Sequence, residues 1–562
     1  MKRHWFRQTK NPRVAASAVV LVALSVLAAC SSGTSTGGSQ SSGASGTLTG
    51  TFTSAPYTAD FNPYSPGNLA ISNGMIYEPL MFFNTAKSGD VQPWLASGYT
   101  WGPGGKSLTF TLRHNVTWND GKPFTSADVV YTFGLEKSNA ALNQYGLPIS
   151  GVTANGLYSV TVSFSQPVYT DLYYIAGKTM MLPKHIWSTI KNPATWANPK
   201  PVGTGAYLVS KVTPQVLTLT ANPHYYMPGL PKVKTYEFVV YTNNNTADSA
   251  IEAGQVDWGG GFVPNINQTY LSKNSNYKLT DIPLAVDYLV PNMVKGPATS
   301  LPVRQAISAA LNRTYMSQSV YNGYGPATNP EALLMPNFKS VASPQTQSDS
   351  FGAGNPAQAK QILTRAGYKL GSNGMFSTPS GQPLTLNVKV VSGWSDFLSL
   401  LQIMQQELKT AGIGINIVQE AYSVWLTDQY SGNFDLLMTN AGYTPSPYSF
   451  YYNLLDSTVT KPIGTQETIG DFGRYKNPTV DNLLNTIATT TDTTTQNQAF
   501  YQIESIVKQQ LPVIPLMEAQ DEIEFNGNHV SNFPTATNAW AGAAPWLNPD
   551  CGWVAARLTP VK

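Results

Sequence analysis

The side chains that most often catalyse reactions or bind metal ions are widely spaced in this sequence. Its five histidines are His4, His114, His185, His224 and His529, and no two of them have the H-x-x-x-H spacing that places two ligands on one face of a helix. No G-x-S-x-G nucleophile elbow follows a predicted strand, and the phosphate-loop pattern G-x-x-x-x-G-K-[ST] does not occur. These observations predict no metal site, no cofactor and no enzymatic activity.

Carboxylate pairs are the remaining candidates for catalysis, because a glycoside hydrolase needs two acids that can lie far apart in the sequence. The chain has 31 Asp and Glu, so a pair of this kind would arise by chance and the sequence does not single one out. A secreted hydrolase therefore stays an alternative to a binding protein.

The bulk composition is that of a folded protein with more than one domain. A chain of 562 residues is too long for a single core, and its 42% hydrophobic and 12% charged residues are typical of globular proteins. The first 29 residues contain five of the 34 Lys and Arg and none of the acids. The remaining chain has 29 basic and 31 acidic residues, so its charge gives no support for a nucleic-acid partner.

The N-terminus has the pattern of a lipoprotein signal peptide. Basic residues precede the apolar run Val14–Leu27, and Leu27–Cys30 resembles a lipobox. The apolar run is shorter than the roughly 20 residues that a transmembrane helix needs. Cys30 is therefore predicted to carry the lipid, which leaves Cys551 as a buried free thiol, and the Gly/Ser/Thr-rich residues that follow are predicted to be a flexible linker.

The stretch Leu112–Leu135 combines the end of a strand, a turn and the start of a helix. Asn119–Gly121 has turn chemistry, and Thr125 with Asp128 three residues later forms a capping box. As a string, the stretch resembles the signature of the extracellular solute-binding proteins of family 5, the peptide- and nickel-type receptors of ABC importers. Other segments resemble that family in the same order: Tyr77–Leu80, Pro183–Trp187, Gly203–Tyr207, Asn222–Tyr226, Ile251–Asp257 and Leu511–Leu516.

The resemblance implies an α/β fold: a two-lobe clamshell like that of periplasmic binding proteins (type II, cluster C-like), with an extra subdomain in the first lobe. The alternating strand 384–390, the apolar helix 398–408 and the strand 413–417 independently predict a parallel β-α-β unit. The expected divisions are residues 1–29 for the signal peptide, 30–49 for Cys30 and the linker, 50–88, 201–291 and 515–562 for lobe I, 89–200 for the extra subdomain, and 292–514 for lobe II.

The same resemblance implies that the ligand lies between the lobes. In peptide-binding members, an Asp in the loop after the strand that begins at Phe434 pairs with the ligand's α-ammonium group. This chain has no acid between Asp435 and Asp456, and aromatic residues occupy the loop instead. Aromatic faces stack on sugars as well as on peptide side chains. The expected ligand-binding residues are Tyr443, Tyr448, Phe450, Trp394 and Trp425.

These expectations describe a monomeric substrate-binding lipoprotein, held outside the cytoplasm on the cell membrane by its lipid. It would capture an oligopeptide-like solute and deliver it to ABC permease and ATPase subunits. Apart from the hydrolase, two alternatives stay open. One is the same transporter role with a β-glucoside-type oligosaccharide as ligand, and the other is a receptor that senses a solute without transporting it.

Overall fold

The computed structural model describes residues 46–53, 56–65, 67–335, 337–468 and 470–561. The predicted signal peptide, Cys30 and almost all of the predicted linker lie outside these ranges. None of the helices in the described ranges has the length and apolar character needed to cross a membrane. Cys551 is a buried free thiol, as predicted.

The strands in the described part of the chain are β1 (Thr47–Thr53), β2 (Met81–Phe83), β3 (Val91–Pro93), β4 (Ala96–Trp101), β5 (Ser107–Leu112), β6 (Ile149–Ala154), β7 (Ser159–Phe164), β8 (Tyr207–Val212), β9 (Val216–Ala221), β10 (Thr235–Tyr241), β11 (Tyr277–Pro291), β12 (Lys369–Leu370), β13 (Phe376–Ser377), β14 (Thr385–Val391), β15 (Gly414–Glu420), β16 (Leu436–Gly442), β17 (Ile514–Asn526), β18 (Val530–Ser531) and β19 (Thr559–Pro560).

The helices in the same ranges are α1 (Ser72–Met75), α2 (Ser126–Ser138), α3 (Lys184–Trp187), α4 (Asn244–Glu252), α5 (Ile266–Thr269), α6 (Leu301–Ala310), α7 (Arg313–Tyr321), α8 (Pro344–Ser348), α9 (Pro356–Arg365), α10 (Ser395–Thr410), α11 (Tyr422–Ser431), α12 (Pro447–Leu455), α13 (Pro478–Thr489), α14 (Thr493–Gln510) and α15 (Asp550–Arg557).

Lobe I contains two four-stranded sheets. One has the strand order β1-β10-β9-β8, with β1 parallel to β10 and the other neighbours antiparallel. The second sheet, β4-β5-β7-β6, is antiparallel and packs against α2. Leu108, Phe110 and Leu112 alternate along β5 and are buried, because successive side chains of a strand point to opposite faces.

The predicted capping box at the start of α2 is present. The Thr125 hydroxyl accepts a hydrogen bond from the Ala127 N–H at 3.3 Å, and Asp128 Oδ2 accepts one from the Thr125 N–H at 2.9 Å. Asp128 Oδ1 accepts a hydrogen bond from the Lys184 N–H at 3.0 Å, so the same carboxylate also fixes the start of α3 against α2.

Lobe II is built on a five-stranded sheet of order β15-β14-β16-β11-β17. Strand β14 is parallel to both β15 and β16, which confirms the predicted β-α-β unit. Leu386, Val388 and Val390 face one apolar core, and Val391 faces another on the opposite side of the sheet. Thr385 and Asn387 lie between the buried residues of β14 and are exposed, so only the end of this strand at Val391 is covered by an apolar core on its second face.

Two long strands, β11 and β17, pair antiparallel and join the lobes. Ile282 and Leu284 of β11 belong to the core of lobe I, whereas Val286 and Tyr288 belong to a core of lobe II. A register shift in the ladder lies between Pro283 and Ala285, where this change occurs. The chain thus crosses between lobes inside two paired strands. The exact domain divisions given above stay predictions.

Replacing Thr125 tests how much the capping box at the start of α2 stabilises the protein. We expect Thr125→Ala to lower the free energy of unfolding by about 1 kcal/mol, because it removes the side-chain acceptor at the N-terminus of α2. Urea denaturation followed by circular dichroism measures the change. Thr479→Ala is the control, since Thr479 is exposed in the first turn of α13, where Asn477 supplies the cap. Equal stability of the two variants would contradict the prediction.

Candidate functional site

Hydrogen bonds between side chains and loops also join the two lobes directly, away from the paired strands. The Ser88 hydroxyl donates to the carbonyl of Pro445 at 2.9 Å, and the Tyr174 hydroxyl donates to Asn453 Oδ1 at 3.2 Å. At another point the Asn244 side-chain amide donates to the Ser395 hydroxyl at 3.2 Å. The lobes are therefore in contact, and side chains between them are shielded from water.

A run of three glycines, Gly259–Gly261, lies in lobe I beside β17 and the segment 545–546. A Cβ on Gly259 would lie 2.4 Å from Glu524 Oε2, and a Cβ on Gly260 would lie 2.9 Å from the ring of Pro545. Trp546 Nε1 is 3.3 Å from the same Gly260 position. The run is a loop, and glycine is required there because other groups pack directly onto the backbone.

Tyr443 is placed where a loop of lobe II meets lobe I. Its ring packs edge-on against Trp546, with the centroids 5.0 Å apart, and its N–H donates to the carbonyl of Leu284 at 2.7 Å. The Tyr173 hydroxyl donates to the Tyr443 carbonyl at 3.4 Å. Tyr443 has a φ of +52°, a conformation that costs energy in a residue with a side chain and is often retained at functional sites.

Two other expected ligand-binding residues, Tyr448 and Phe450, lie on α12. Tyr448 is buried and stacks on Tyr452, with the ring centroids 5.7 Å apart. Phe450 is 1% exposed and packs with Phe338 in a core of lobe II. In this closed arrangement the Phe450 side chain contributes to packing, because it is on the inner face of its helix.

The two tryptophans expected at the site are brought together in lobe II. The rings of Trp394 and Trp425 have centroids 5.4 Å apart, and Tyr422 lies 6.1 Å from each of them. Trp425 is buried, whereas Trp394 is half-buried and directly precedes α10. Trp394 is therefore the member of the pair that is partly accessible.

The sequence reasoning missed a group of carboxylates between the lobes. Its members couple electrostatically to one another and come from α4, β11, α10 and β17. We call them the cleft carboxylates; they are Asp248, Asp281, Asp287, Asp396, Glu522 and Glu524. In the described part of the chain, none of the six forms an ion pair with a Lys, Arg or His side chain.

Asp287 and Asp396 form the lobe II side of this group. The Tyr321 hydroxyl donates to Asp287 Oδ2 at 3.2 Å, and the Asn244 amide donates to Asp396 Oδ1 at 3.4 Å from lobe I. Burial raises the pKa of Asp287 well above its usual range, and the nearby Asp396 carboxylate raises it further. Burial also raises the pKa of Asp396 to about 6.

Glu522 and Asp248 are buried and each has an oxygen without a hydrogen-bond partner among the described residues. Their side chains are 8% and 6% exposed, and neither Glu522 Oε2 nor Asp248 Oδ1 has a hydrogen-bond partner among the described residues. Burial raises the pKa of Glu522 to about 8, helped by the Asp281 and Asp396 carboxylates. Burial likewise raises the pKa of Asp248 to about 8, helped by Glu252 and Asp396.

The strand ladder places like charges opposite each other. Asp281 of β11 is the direct partner of Glu522 of β17, and burial raises the pKa of Asp281 to about 6. Facing carboxylates in adjacent strands repel when both are ionised. The sequence contains an indication of this carboxylate group: Glu518, Glu522 and Glu524 all lie on β17, and acidic residues are unusual in a buried strand.

Comparison with known proteins gives one family and a consistent fold. The model described as "Bacterial extracellular solute-binding proteins, family 5 Middle" matches residues 90–462. The nickel-binding periplasmic protein of Escherichia coli is 24% identical over 450 residues, which cover 78% of this chain and 82% of that protein.

Two solved structures show the same two-lobe fold. A mannohexaose-bound oligopeptide ABC transporter periplasmic binding protein from Thermotoga maritima matches with a TM-score of 0.84 and 24% identity, covering 92% of this chain and 98% of that one. The oligopeptide-binding protein AppA from Bacillus subtilis, in complex with a nonapeptide, matches with a TM-score of 0.77 and 21% identity, covering 92% and 99%.

The raised pKa values predict that the free energy of unfolding falls with rising pH. Because the pKa of Glu522 rises from its ordinary 4.5 to about 8, the folded chain binds more protons than the unfolded chain between those values, so stability is lost as pH rises through this window. We expect a lower melting temperature at pH 8 than at pH 5, and expect Glu522→Gln to recover on the order of 2 kcal/mol at pH 8.

Calorimetric melting of the ligand-free protein at both pH values measures this effect. Glu237→Gln is the matched control, since it makes the same change at an exposed strand position. A Glu522→Gln variant with the pH profile of the unchanged protein would show that Glu522 ionises freely in the folded state.

Proposed function

The chain belongs to family 5 of the bacterial extracellular solute-binding proteins, and we propose that it is the substrate-binding component of an ABC importer, capturing an oligopeptide-like solute between its two lobes. The observation that carries this proposal is the crossing of the chain between lobes through the paired strands β11 and β17. A crossing of this kind permits hinged closure around a solute.

Several features of the cleft support a peptide-like solute. Gly259–Gly261 bring the backbone of lobe I close to Trp546, and an extended peptide between the lobes would form main-chain hydrogen bonds like an added strand. Tyr443 and Trp546 stand beside this run and offer apolar faces for peptide side chains. The AppA protein of B. subtilis holds a nonapeptide within the same fold.

An oligosaccharide is the second candidate solute. The edge-on pair of Tyr443 and Trp546, together with the half-buried Trp394, provides the flat aromatic surfaces that stack on sugar rings. The T. maritima protein with the same fold was solved with mannohexaose bound. The two candidates differ in charge and in backbone hydrogen-bonding groups, so binding measurements separate them.

The proposal places the protein outside the cytoplasm, tethered by lipid on Cys30 through the linker that follows. Several acyl chains, each gaining about 0.8 kcal/mol per buried methylene, would hold a monomer at the cell membrane within reach of its permease and ATPase partners. A binding protein returns its solute unchanged, which separates this role from that of a secreted hydrolase.

Truncating Tyr443 tests its assignment to the site. We expect Tyr443→Ala to weaken binding of the preferred solute at least about tenfold, because it removes an aromatic face between the lobes. Titration calorimetry against small peptides and β-linked oligosaccharides measures both the preference and the loss. Tyr315→Ala is the control, since Tyr315 is 55% exposed on α7. Unchanged affinity in Tyr443→Ala would remove this residue from the site, and hydrolysed ligand after the titration would favour the enzyme.

The anchor is tested by changing the predicted lipid attachment point. We expect Cys30→Ala, expressed in a bacterial host, to move the protein from the membrane fraction to the soluble fraction, because no thioether to the lipid can form. Fractionation with metabolic labelling by a radioactive fatty acid measures the change. Cys551→Ala should stay labelled and membrane-bound, and its release would contradict the assignment to Cys30.

A further inference from the structure

We propose that the solute bound between the lobes is a cation carrying at least two ammonium or guanidinium groups, which the cleft carboxylates hold. This inference rests on the proposed function, because it assigns the charge of the solute that the receptor captures. A chain bearing two alkylammonium groups fits the chemistry, whether it is an aliphatic oligoamine or a peptide with basic side chains.

The cleft carboxylates come from both lobes and from the strands that join them. Asp248 belongs to α4 of lobe I, Asp396 to the first turn of α10 in lobe II, and Glu522 to β17. The Asn244 amide, one helical turn before Asp248, reaches across to Asp396. Closure of the lobes therefore assembles the negative charge, and a cation between them would contact both sides at once.

Unpartnered oxygens give the second and independent indication of a ligand. Glu522 Oε2 and Asp248 Oδ1 are shielded from solvent and accept no hydrogen bond in the described structure. Buried polar atoms are nearly always paired, and an unpaired buried carboxylate is costly. An ammonium group supplies the missing donor and the missing positive charge together.

Another buried acid in the same chain shows what a structural carboxylate looks like. Asp550 is fully buried, and its Oδ2 accepts hydrogen bonds from the Thr85 hydroxyl and the Gly542 N–H, both at 2.9 Å. Burial raises the pKa of Asp550 to about 6, and the nearby Lys178 ammonium offsets part of that rise. The cleft carboxylates lack a cation of this kind. Asp550 Oδ1 is also without a hydrogen-bond partner, so what distinguishes the cleft carboxylates is that no cationic side chain of the described residues lies beside them.

The surroundings favour an organic cation over a metal ion. Within the described residues, no three His, Cys, Asp or Glu side chains converge closely enough to hold a metal. Aromatic rings border the group instead: Phe262 packs edge-on against Tyr321, 5.6 Å apart, and the Tyr321 hydroxyl bonds to Asp287. Aromatic faces attract ammonium groups and cover aliphatic spacers.

Titration calorimetry of the mature chain at pH 7 tests the proposal. The probes are spermidine and Lys-Ala-Lys as dications or trications, Ala-Ala-Ala and cellotriose as less charged solutes, and Ni²⁺ alone. We expect at least one polyamine or basic peptide to bind about a hundredfold more tightly than the last three. Binding should release protons, seen as a heat that varies with the buffer, because Glu522 and Asp248 ionise beside the cation.

Conservative substitutions test whether the cleft carboxylates are the groups that hold the cation. Glu522→Gln and Asp396→Asn should each weaken binding of the cation at least about tenfold, and Glu522→Gln should reduce the proton release. Glu237→Gln, an exposed glutamate on β10, should leave both unchanged. Glu522→Gln removes a charge that opposes folding, so its loss of binding is not a loss of fold.

Each outcome bears on the proposal. Preference for spermidine or for Lys-Ala-Lys supports it and identifies the source of the ammonium groups. Tighter binding of Ala-Ala-Ala or cellotriose overturns it while the receptor role stands. Ni²⁺ that binds alone and displaces the cation overturns it in favour of a metal. Failure of every probe, and of wider peptide and sugar libraries, overturns this inference and the proposed function together.

Discussion

The antiparallel pairing of β11 with β17 is the constraint on which the rest of the structure depends. These two strands complete the sheet of lobe II and also contribute Ile282, Leu284, Ile523 and Phe525 to the core of lobe I. Because both lobes share the same ladder, neither can shift without bending it. The register shift between Pro283 and Ala285 interrupts the regular hydrogen bonding at the point where the cores change, so bending is concentrated there.

The closed arrangement combines strong packing with unfavourable electrostatics. Hydrogen bonds such as Ser88 to Pro445 and Asn244 to Ser395 hold the lobes together, while the cleft carboxylates are buried without a cation. Burial raises the pKa of Glu522 and of Asp248 to about 8, so these two carboxyl groups hold protons near neutral pH. The same groups that oppose contact between the lobes when ionised would favour it when positive charge lies between them.

Local signals in the sequence predicted much of the framework. Thr125 and Asp128 act within one helical turn, and the β-α-β unit from β14 to β15 depends on patterns spanning a few tens of residues. The site was harder to predict. Phe450 was expected in a loop between the lobes, but it lies on α12 with its side chain in a core of lobe II. Asp287 and Glu522 are far apart in the sequence and meet only because two distant strands pair. The missing acid near Tyr443 was a correct observation, yet the acids that face the cleft come from other elements.

Asp281 and Glu522 lie directly opposite each other on β11 and β17, and this pairing affects how easily the two strands bend. A hinge normally has a stiffness set by its backbone hydrogen bonds, but here the two strands also carry like charges that push them apart when ionised. The resistance of the hinge to bending thus varies with protonation and with occupancy. A cation held by both carboxylates would remove the repulsion between the strands, whereas two ionised carboxylates with no cation between them would make the pair of strands easier to bend.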